Sequence, residues 1–253
     1  MSIIIPANSA VSGGFDVANS CMFNSADSAN MNRTFSTVGH STNKRFTYSF
    51  WVKRGTLGEQ VITSSYYSSS YYAFIKFGSG NTLEVYDYRT SAILSKITTR
   101  LFRDVGAWYH IVVSNDNSVA SPELKVYVNG VQETSFTTTN EYTQNQSTSF
   151  NNDYPNYIGQ KGDDSTYFNG YLAEFCFIDS SALTPTDFGK FDEDSGIWKP
   201  IDVSGLTFGT NGFYLDFEDS SALGNDAVGS NNFTVTNLAA TDQMIDTCTK
   251  NFP

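Results

Sequence analysis

Apolar and polar side chains alternate with a period of two in one short segment after another of this 253-residue chain. Residues 46–53 (FTYSFWVK) place an aromatic or β-branched side chain at every second position, as a strand with one buried face requires. Residues 73–77, 83–85 and 213–217 repeat this pattern. One short helix is indicated near 184–191, where the segment begins with Thr-Pro. About a dozen short strands separated by turns predict an all-β chain, a two-sheet antiparallel jelly-roll sandwich.

The composition divides the chain into three parts. Residues 1–19 are small and polar and are predicted to form an N-terminal arm. The one apolar patch of this arm consists of Ile3, Ile4 and Ile5. Such a patch favours docking to a neighbouring subunit by strand addition, which would satisfy backbone hydrogen bonds and apolar side chains together. Residues 20–200 are predicted to form the sandwich, and residues 201–253 a C-terminal β extension packed on it.

Residue types between the strands mark turns and one long loop. Asn129 and Gly130 follow a strand-like segment and predict a type I′ hairpin turn, because both central residues of that turn need a positive φ angle. Residues 137–156 are rich in Thr, Asn, Gln and Ser, and they predict a long surface loop.

The acidic balance of the chain argues against several classes of partner. The chain has 15 Lys and Arg residues against 26 Asp and Glu, a formal net charge of −11. Such a surface repels the phosphates of nucleic acids and the headgroups of anionic membranes. No apolar run approaches the ~20 residues that cross a bilayer, and the first residues lack the basic stretch of a secretory signal. We therefore expect neither nucleic-acid binding nor membrane insertion. We also expect that the protein assembles inside a cell.

The three cysteines, Cys21, Cys176 and Cys248, lie far apart in the sequence and form no CxxC or Cys/His motif. Their spacing therefore predicts no zinc or redox site. Two arrangements stay open, one disulfide with one free thiol or three buried thiols. The second is the simpler, because free cysteine packs as a small apolar side chain.

A set of strand motifs resembles the laminin G / concanavalin A-like lectin superfamily. The set covers about residues 30–191 and follows the order of the family. Its members are residues 46–54, 108–113, 124–130, 157–159 and 168–178. The resemblance implies the same jelly-roll sandwich and a lectin-like function.

Residues 211–247 carry a second resemblance, to a stretch common in structural proteins of marine and aquatic tailed phages. The stretch runs from NGFYLDFEDSS to NNFTVTNLAATDQMIDT. It implies a virion structural protein, which would need no secretory signal. Phage appendages are commonly trimeric, so the resemblance also implies a homo-oligomer, with a trimer as the expected state.

Calcium is the one cofactor that the laminin G resemblance implies. These domains often hold Ca²⁺ in a loop at the rim of the sandwich, and the ion needs six to eight oxygen ligands. Asp163 and Asp164 are the best placed pair, just before the strand motif 168–178. The alternative is an acidic, hydrated turn that binds no metal.

Four closely spaced tyrosines form the candidate carbohydrate site. They are Tyr66, Tyr67, Tyr71 and Tyr72. Sugar rings stack on planar aromatic side chains, while polar groups bind the sugar hydroxyls. Because consecutive residues of a strand point to opposite faces, at most half of these tyrosines can line one site. The alternative is a tyrosine-rich strand pair with its hydroxyls at the surface and no ligand.

Catalytic chemistry has few candidates in this sequence. Glycosidases with this sandwich place carboxylates at alternate positions of one strand, and the nearest approach to this spacing here is Asp216 with Glu218. They are expected on a solvated face, while the apolar residues around them pack inside. His110, in an apolar segment beside Trp108, is expected to be a hydrogen-bonded core histidine. The chain is therefore predicted not to be an enzyme.

The predicted function is that of a non-enzymatic virion surface protein of a tailed phage, either a capsid decoration or a tail-fibre or adhesin component. The lectin-like sandwich would serve assembly with other virion proteins and attachment to host surface glycan. The expected location is the virion, assembled in the host cytoplasm and exposed on the released particle. A soluble carbohydrate-binding lectin module is the first alternative, and a glycoside hydrolase is the second.

Overall fold

The computed structural model describes residues 14–36 and 43–250. In these ranges the chain consists of two antiparallel eight-stranded sheets, stacked as a sandwich, and a two-stranded hairpin. Three single turns of 3₁₀ helix lie at Ser25–Asp27, Pro185–Asp187 and Ala240–Asp242. Within the described ranges, no helix has the length and apolar character needed to span a membrane. The predicted all-β sandwich is confirmed.

The strands of the first sheet come from the middle and from both ends of the described sequence. Its strands are β1 (Ser20–Phe23), β3 (Arg45–Arg54), β8 (Trp108–Asp116), β9 (Lys125–Val128), β10 (Val131–Gln132), β13 (Gly170–Asp179), β16 (Phe213–Leu215) and β18 (Gln243–Met244). They are ordered β10-β9-β8-β3-β13-β1-β18, with β16 also paired to β13. Asn129 and Gly130 join β9 to β10 with φ angles of 48° and 79°, as the predicted turn requires.

The second sheet contains the tyrosine-rich strands. Its members are β2 (Asn30–Thr34), β4 (Gln60–Ser68), β5 (Tyr71–Phe77), β6 (Thr82–Arg89), β7 (Ala92–Leu101), β11 (Phe136–Asn140), β12 (Pro155–Ile158) and β17 (Thr234–Thr236). They are ordered β11-β7-β6-β5-β4-β12-β2-β17. The separate hairpin pairs β14 (Gly189–Phe191) with β15 (Trp198–Pro200).

The inner faces of the two sheets form one apolar core. The alternating residues of β3 that point inward are all 0–1% exposed, namely Phe46, Tyr48, Phe50 and Val52. The ring of Phe50 stacks on Phe175 of β13 with the ring centroids 5.0 Å apart. Each buried side chain of this size stabilises the fold by about 1.5–3 kcal/mol. All three cysteines are free thiols and there is no disulfide; Cys21 and Cys176 are buried as expected, whereas Cys248 is partly exposed.

Residues at both ends of the described chain pack on this sandwich. Residues 201–250 supply β16 and β18 to the first sheet and β17 to the second. Residues 14–19, expected to belong to a free arm, are not free, because Val17 is 1% exposed and its backbone N donates to Thr249 Oγ1 at 3.0 Å. The arm's Ile3, Ile4 and Ile5 lie outside the described residues.

Two segments differ from the sequence-based expectation. The short helix near 184–191 is one 3₁₀ turn, closed by Thr184 N donating to Asp187 Oδ2 at 2.8 Å, and the residues after it pair as β14. The loop expected at 137–156 contains most of β11 and the buried residues Tyr142 and Phe150. The polar composition of this segment does not reveal that it is buried. Its polar groups can be buried because a buried carboxylate of β6 accepts their hydrogen bonds.

Candidate functional site

Three adjacent strands of the second sheet, β4, β5 and β6, turn aromatic side chains outward. Tyr66 on β4 pairs with Tyr72 on β5, and Tyr72 pairs with Tyr88 on β6. Directly paired residues of antiparallel strands share one face of the sheet. The neighbouring pair Phe74 and Tyr86 lies on that same face, because side chains alternate along each strand. These five rings are named the tyrosine face.

The rings of the tyrosine face form a nearly parallel array. The ring centroids of Tyr66 and Tyr72 are 6.2 Å apart, those of Tyr72 and Tyr88 5.2 Å, with interplanar angles of 28° and 23°. Phe74 and Tyr86 stack at 5.2 Å and 20°. Stacked pairs of this kind contribute about 0.5–1.5 kcal/mol each beyond their burial. The array is therefore held in place before any ligand binds.

A groove of about 370 Å³ lies over the tyrosine face. Its lining consists of Tyr72, Phe74, Lys76, Glu84, Val85, Tyr86, Ser95, Ile97 and Lys161. Lys76 Nζ lies 4.8 Å from the ring centre of Phe74, and Lys161 Nζ lies 5.3 Å from that of Tyr72, both within cation–π distance. The groove thus has an aromatic floor and a rim of polar and charged groups, the combination found in sites for polar organic ligands.

One wall of the groove is the loop between β12 and β13. Lys161 Nζ donates to Asp163 Oδ2 at 2.7 Å, which fixes the tip of this loop. Gly162 brings the loop onto the sheet, since a Cβ at this position would lie 2.4 Å from Tyr66 Cβ and 2.6 Å from the Tyr157 ring. Any other residue at 162 would push the wall away from the tyrosine face.

The four tyrosines expected at a carbohydrate site divide into two groups. Tyr66 and Tyr72 lie on the tyrosine face, whereas Tyr67 and Tyr71 contact each other, and Tyr67 stacks on Tyr154 at 5.1 Å. The sequence reasoning missed Phe74, Tyr86 and Tyr88. Period-two alternation in residues 82–89 would have indicated the two tyrosines, because they alternate with the buried residues of β6.

Burial raises the pKa of two hydroxyls of the tyrosine face, those of Tyr72 and Tyr86. It raises the pKa of Tyr72, and the nearby Tyr88 hydroxyl raises it further. Burial likewise raises the pKa of Tyr86, with an added contribution from Tyr72. At neutral pH these hydroxyls can therefore both donate and accept hydrogen bonds, as recognition of sugar hydroxyls requires.

The calcium pair Asp163 and Asp164 lies in the loop that walls the groove, but its surroundings do not fit the ion. Asp163 Oδ2 accepts from Lys161, and Asp163 Oδ1 accepts from Ser165 Oγ at 2.5 Å. Asp164 Oδ1 accepts from the side-chain amide of Gln160. No group of three or more His, Cys, Asp and Glu side chains that could hold an ion occurs among residues 14–36 and 43–250. Two engaged carboxylates fall far short of six to eight oxygens.

His110 is buried on the outer side of the first sheet with both ring nitrogens hydrogen-bonded. Trp198 Nε1 donates to His110 Nδ1 at 2.9 Å, so the proton of the neutral ring lies on Nε2. His110 Nε2 then donates to Ser49 Oγ, also at 2.9 Å. A nucleophilic serine needs the reverse direction, in which Nε2 accepts the hydroxyl proton. Burial lowers the pKa of His110 to about 3, so its role is structural.

The other hydrolase candidates, Asp216 and Glu218, do not lie on a strand. β16 ends at Leu215, and Phe217 has a φ angle of 58°, which breaks the alternation that a strand would give. Asp216 Oδ1 instead accepts from Glu218 N at 3.1 Å in a tight turn. Phe217 itself is buried, as the sequence predicted.

One carboxyl group of the first sheet, that of Glu174, is buried beneath the C-terminal residues. It lies in a β-bulge of β13 with a φ angle of 50° and is 7% exposed. Tyr214 Oη donates to Glu174 Oε2 at 2.5 Å. Burial raises the pKa of Glu174 to about 8, and the carboxylate of Asp216 contributes in the same direction. This carboxyl group is therefore largely protonated at neutral pH.

The tryptophans of the chain lie together, away from the tyrosine face. Trp51, Trp108 and Trp198 share one buried cluster with Val17 and Ala173. Trp51 lies between Phe50 and Val52 on β3, and these two side chains point into the core. The cluster therefore lies on the outer side of the first sheet, opposite the second sheet.

A comparison with models of known protein families shows the family to which this chain belongs. Residues 27–187, more than half of the chain, match the model of the concanavalin A-like lectin/glucanases superfamily. No curated protein sequence gives a significant match.

Several solved structures are similar to this chain at low identity. A heptameric SAP-like pentraxin from Limulus polyphemus is 16% identical, with a TM-score of 0.48 over 67% of this chain and 80% of that chain. Domain 4 of an extracellular GH43 arabinanase from Geobacillus stearothermophilus, in complex with arabinotriose, is 19% identical, with a TM-score of 0.41 over 58% and 65%. Domains LG4-5 of the mouse laminin α1 chain are 12% identical, with a TM-score of 0.44 over 65% and 44%. On the family match, the chain belongs to the concanavalin A-like lectin/glucanases superfamily.

Proposed function

We propose that the protein binds carbohydrate without cleaving it and that the tyrosine face is the binding site. The observation that carries this proposal is the array of five nearly parallel rings, three of which (Tyr72, Phe74 and Tyr86) line a groove of about 370 Å³. The apolar face of a sugar ring packs against such rings, and the hydroxyls of the sugar reach the polar rim. Membership of a lectin-containing superfamily supports the same function.

The hydrolase alternative has less support. The superfamily also contains glucanases, so the fold alone does not decide between binding and cleavage. Hydrolysis needs two carboxyl groups on either side of the scissile bond, one of them as an acid. In the groove, Glu84 is the one lining carboxylate among the described residues, and it is ion-paired with Lys76 at 3.3 Å. We therefore favour a non-enzymatic role.

The proposed setting of this binding is the surface of a tailed-phage virion, as a capsid decoration or as a tail-fibre or adhesin component. The resemblance of residues 211–247 to phage structural proteins supports this setting. The ligand would then be a host surface glycan, and the partners would be other virion proteins and further copies of the chain, with a trimer expected. A soluble lectin module is the alternative.

A glycan array tests the binding site. The wild-type protein should bind a subset of glycans, and Tyr72→Ala together with Tyr86→Ala should abolish that binding, because both rings line the groove. Tyr127→Ala is the matched control, since Tyr127 lies on the first sheet. Equal loss in the control, or retained binding in the double variant, would remove the tyrosine face from the proposal.

Quantification of the protein in purified particles tests the setting. A fixed number of copies per virion, retained through salt washes, is the expected result for a structural component. Recovery of the protein only in the soluble fraction, together with selective glycan binding, would favour the soluble lectin module instead.

A further inference from the structure

We infer that the groove over the tyrosine face selects neutral glycans over acidic ones, because each cation of the groove is already paired with a carboxylate of this chain. The inference rests on the proposed function and specifies its ligand class. Only three charged residues line the groove among the residues described, and they are Lys76, Lys161 and Glu84. The charge state of these residues decides which glycans fit.

Lys76 is paired with two carboxylates. Its Nζ lies 2.6 Å from Glu59 Oε1 and 3.3 Å from Glu84 Oε2. Burial alone would lower the pKa of Lys76, but the two carboxylates more than offset that effect, and the pKa is raised. Lys76 therefore stays charged and bound to its partners, and this group of one cation and two anions has a net negative charge.

Lys161 is neutralised within its own loop. Its Nζ donates to Asp163 Oδ2 at 2.7 Å, and Asp163 Oδ1 is held by Ser165 Oγ at 2.5 Å. Although partial burial opposes the change, hydrogen bonds from Lys161 and Ser165 lower the pKa of Asp163. The carboxylate is ionised at neutral pH, so this pair carries no net charge.

An acidic sugar would lose affinity in this groove. Its sulfate or carboxylate would have to displace Glu84 or Asp163 from a lysine, or remain near these carboxylates without a counterion. Repulsion between the anionic group of the sugar and these carboxylates disfavours binding. The formal net charge of −11 also slows the approach of anions. A neutral sugar avoids both effects, because its hydroxyls can accept from the lysines and donate to Glu84.

Matched probes test the inference. Neutral oligosaccharides identified on the array are compared with sulfated derivatives of the same backbones, by titration calorimetry. We expect the neutral form to bind at least roughly tenfold more tightly. The double variant Glu84→Gln/Asp163→Asn removes one carboxylate from each lysine and should shift the ratio of the two affinities toward the sulfated probe by roughly tenfold.

The control variant is Glu193→Gln/Asp194→Asn. It makes the same change in net charge on the exposed turn between β14 and β15, away from the groove. An equal shift of the affinity ratio in this control, or a wild-type preference for sulfated probes, would overturn the inference and leave carbohydrate binding standing. Absence of binding to every probe would overturn the proposed function and the inference with it.

Discussion

Replacing the buried carboxyl group Glu174 by glutamine should change how stability depends on pH. The pKa of Glu174 in the folded protein is about 8, against an ordinary value of 4.5. Between these pH values the unfolded chain has released a proton that the folded chain keeps, so the free energy of unfolding falls as pH rises. One pH unit corresponds to about 1.4 kcal/mol. The whole window therefore gives an upper limit of about 5 kcal/mol.

His110 acts in the opposite direction at lower pH. Its folded pKa of about 3 lies below the ordinary 6.5, so the free energy of unfolding rises with pH between these values. From pH 6.5 to pH 8 the contribution of His110 is small and the three cysteine thiols have barely begun to ionise in the unfolded chain, so Glu174 dominates the pH dependence. Over this range wild-type protein should lose about 2 kcal/mol of stability. Glu174→Gln should lose almost none, because glutamine keeps an oxygen for the Tyr214 hydroxyl and does not ionise.

Urea unfolding followed by far-UV circular dichroism, repeated across this pH range, measures the difference. Glu193→Gln is the control, because it removes one negative charge from an exposed turn. It should keep the wild-type pH dependence. Parallel curves for wild type and Glu174→Gln would refute the reasoning, since they would mean that Glu174 ionises in the folded state as it does in the unfolded one.

Three further predictions concern the wall of the groove, the core and calcium. Gly162→Ala should lower glycan affinity by roughly tenfold in calorimetry, because the added Cβ meets Tyr157 and moves the wall, while the melting temperature changes little. Phe50→Ala should lower the free energy of unfolding by about 3–5 kcal/mol in urea titrations, and a loss below about 1 kcal/mol would contradict its place in the core. EDTA or added CaCl₂ should leave the melting temperature unchanged, because Asp163 and Asp164 do not fit the ion; a calcium-dependent rise of several degrees that Asp163→Asn/Asp164→Asn abolishes would show that they do.

Period-two alternation was sufficient to predict the sandwich and part of the candidate site. It identified β3 and its buried face, and it implied that Tyr66 and Tyr67 could not share a face. The complete tyrosine face also depends on the pairing of β5 with β6, which brings Tyr86 beside Phe74. Such cross-strand neighbours follow from hairpin register, which alternation within one strand does not specify.

Composition misled where polar residues are buried with partners. Residues 137–156 look like a surface loop, but Tyr142 Oη donates to Asp87 Oδ2 at 2.8 Å, and Ser149 N donates to the same oxygen at 2.7 Å. Asp87 is 0% exposed. A polar segment can be buried when a distant carboxylate satisfies its donors, and that carboxylate lies fifty or more positions away in the chain.

The placement of the tryptophans separates two optical signals in this protein. All 3 indoles of the chain belong to the cluster on the outer side of the first sheet, and none lines the groove over the tyrosine face. Selective excitation of indole should therefore report on the layer around Trp198 and His110 and not on a sugar bound in the proposed site. If the tyrosine face binds sugar as proposed, tyrosine emission and near-ultraviolet dichroism of the stacked phenol rings should change on binding instead. One sample can thus be followed for ligand occupancy and for loosening of its opposite side at the same time, without an attached dye.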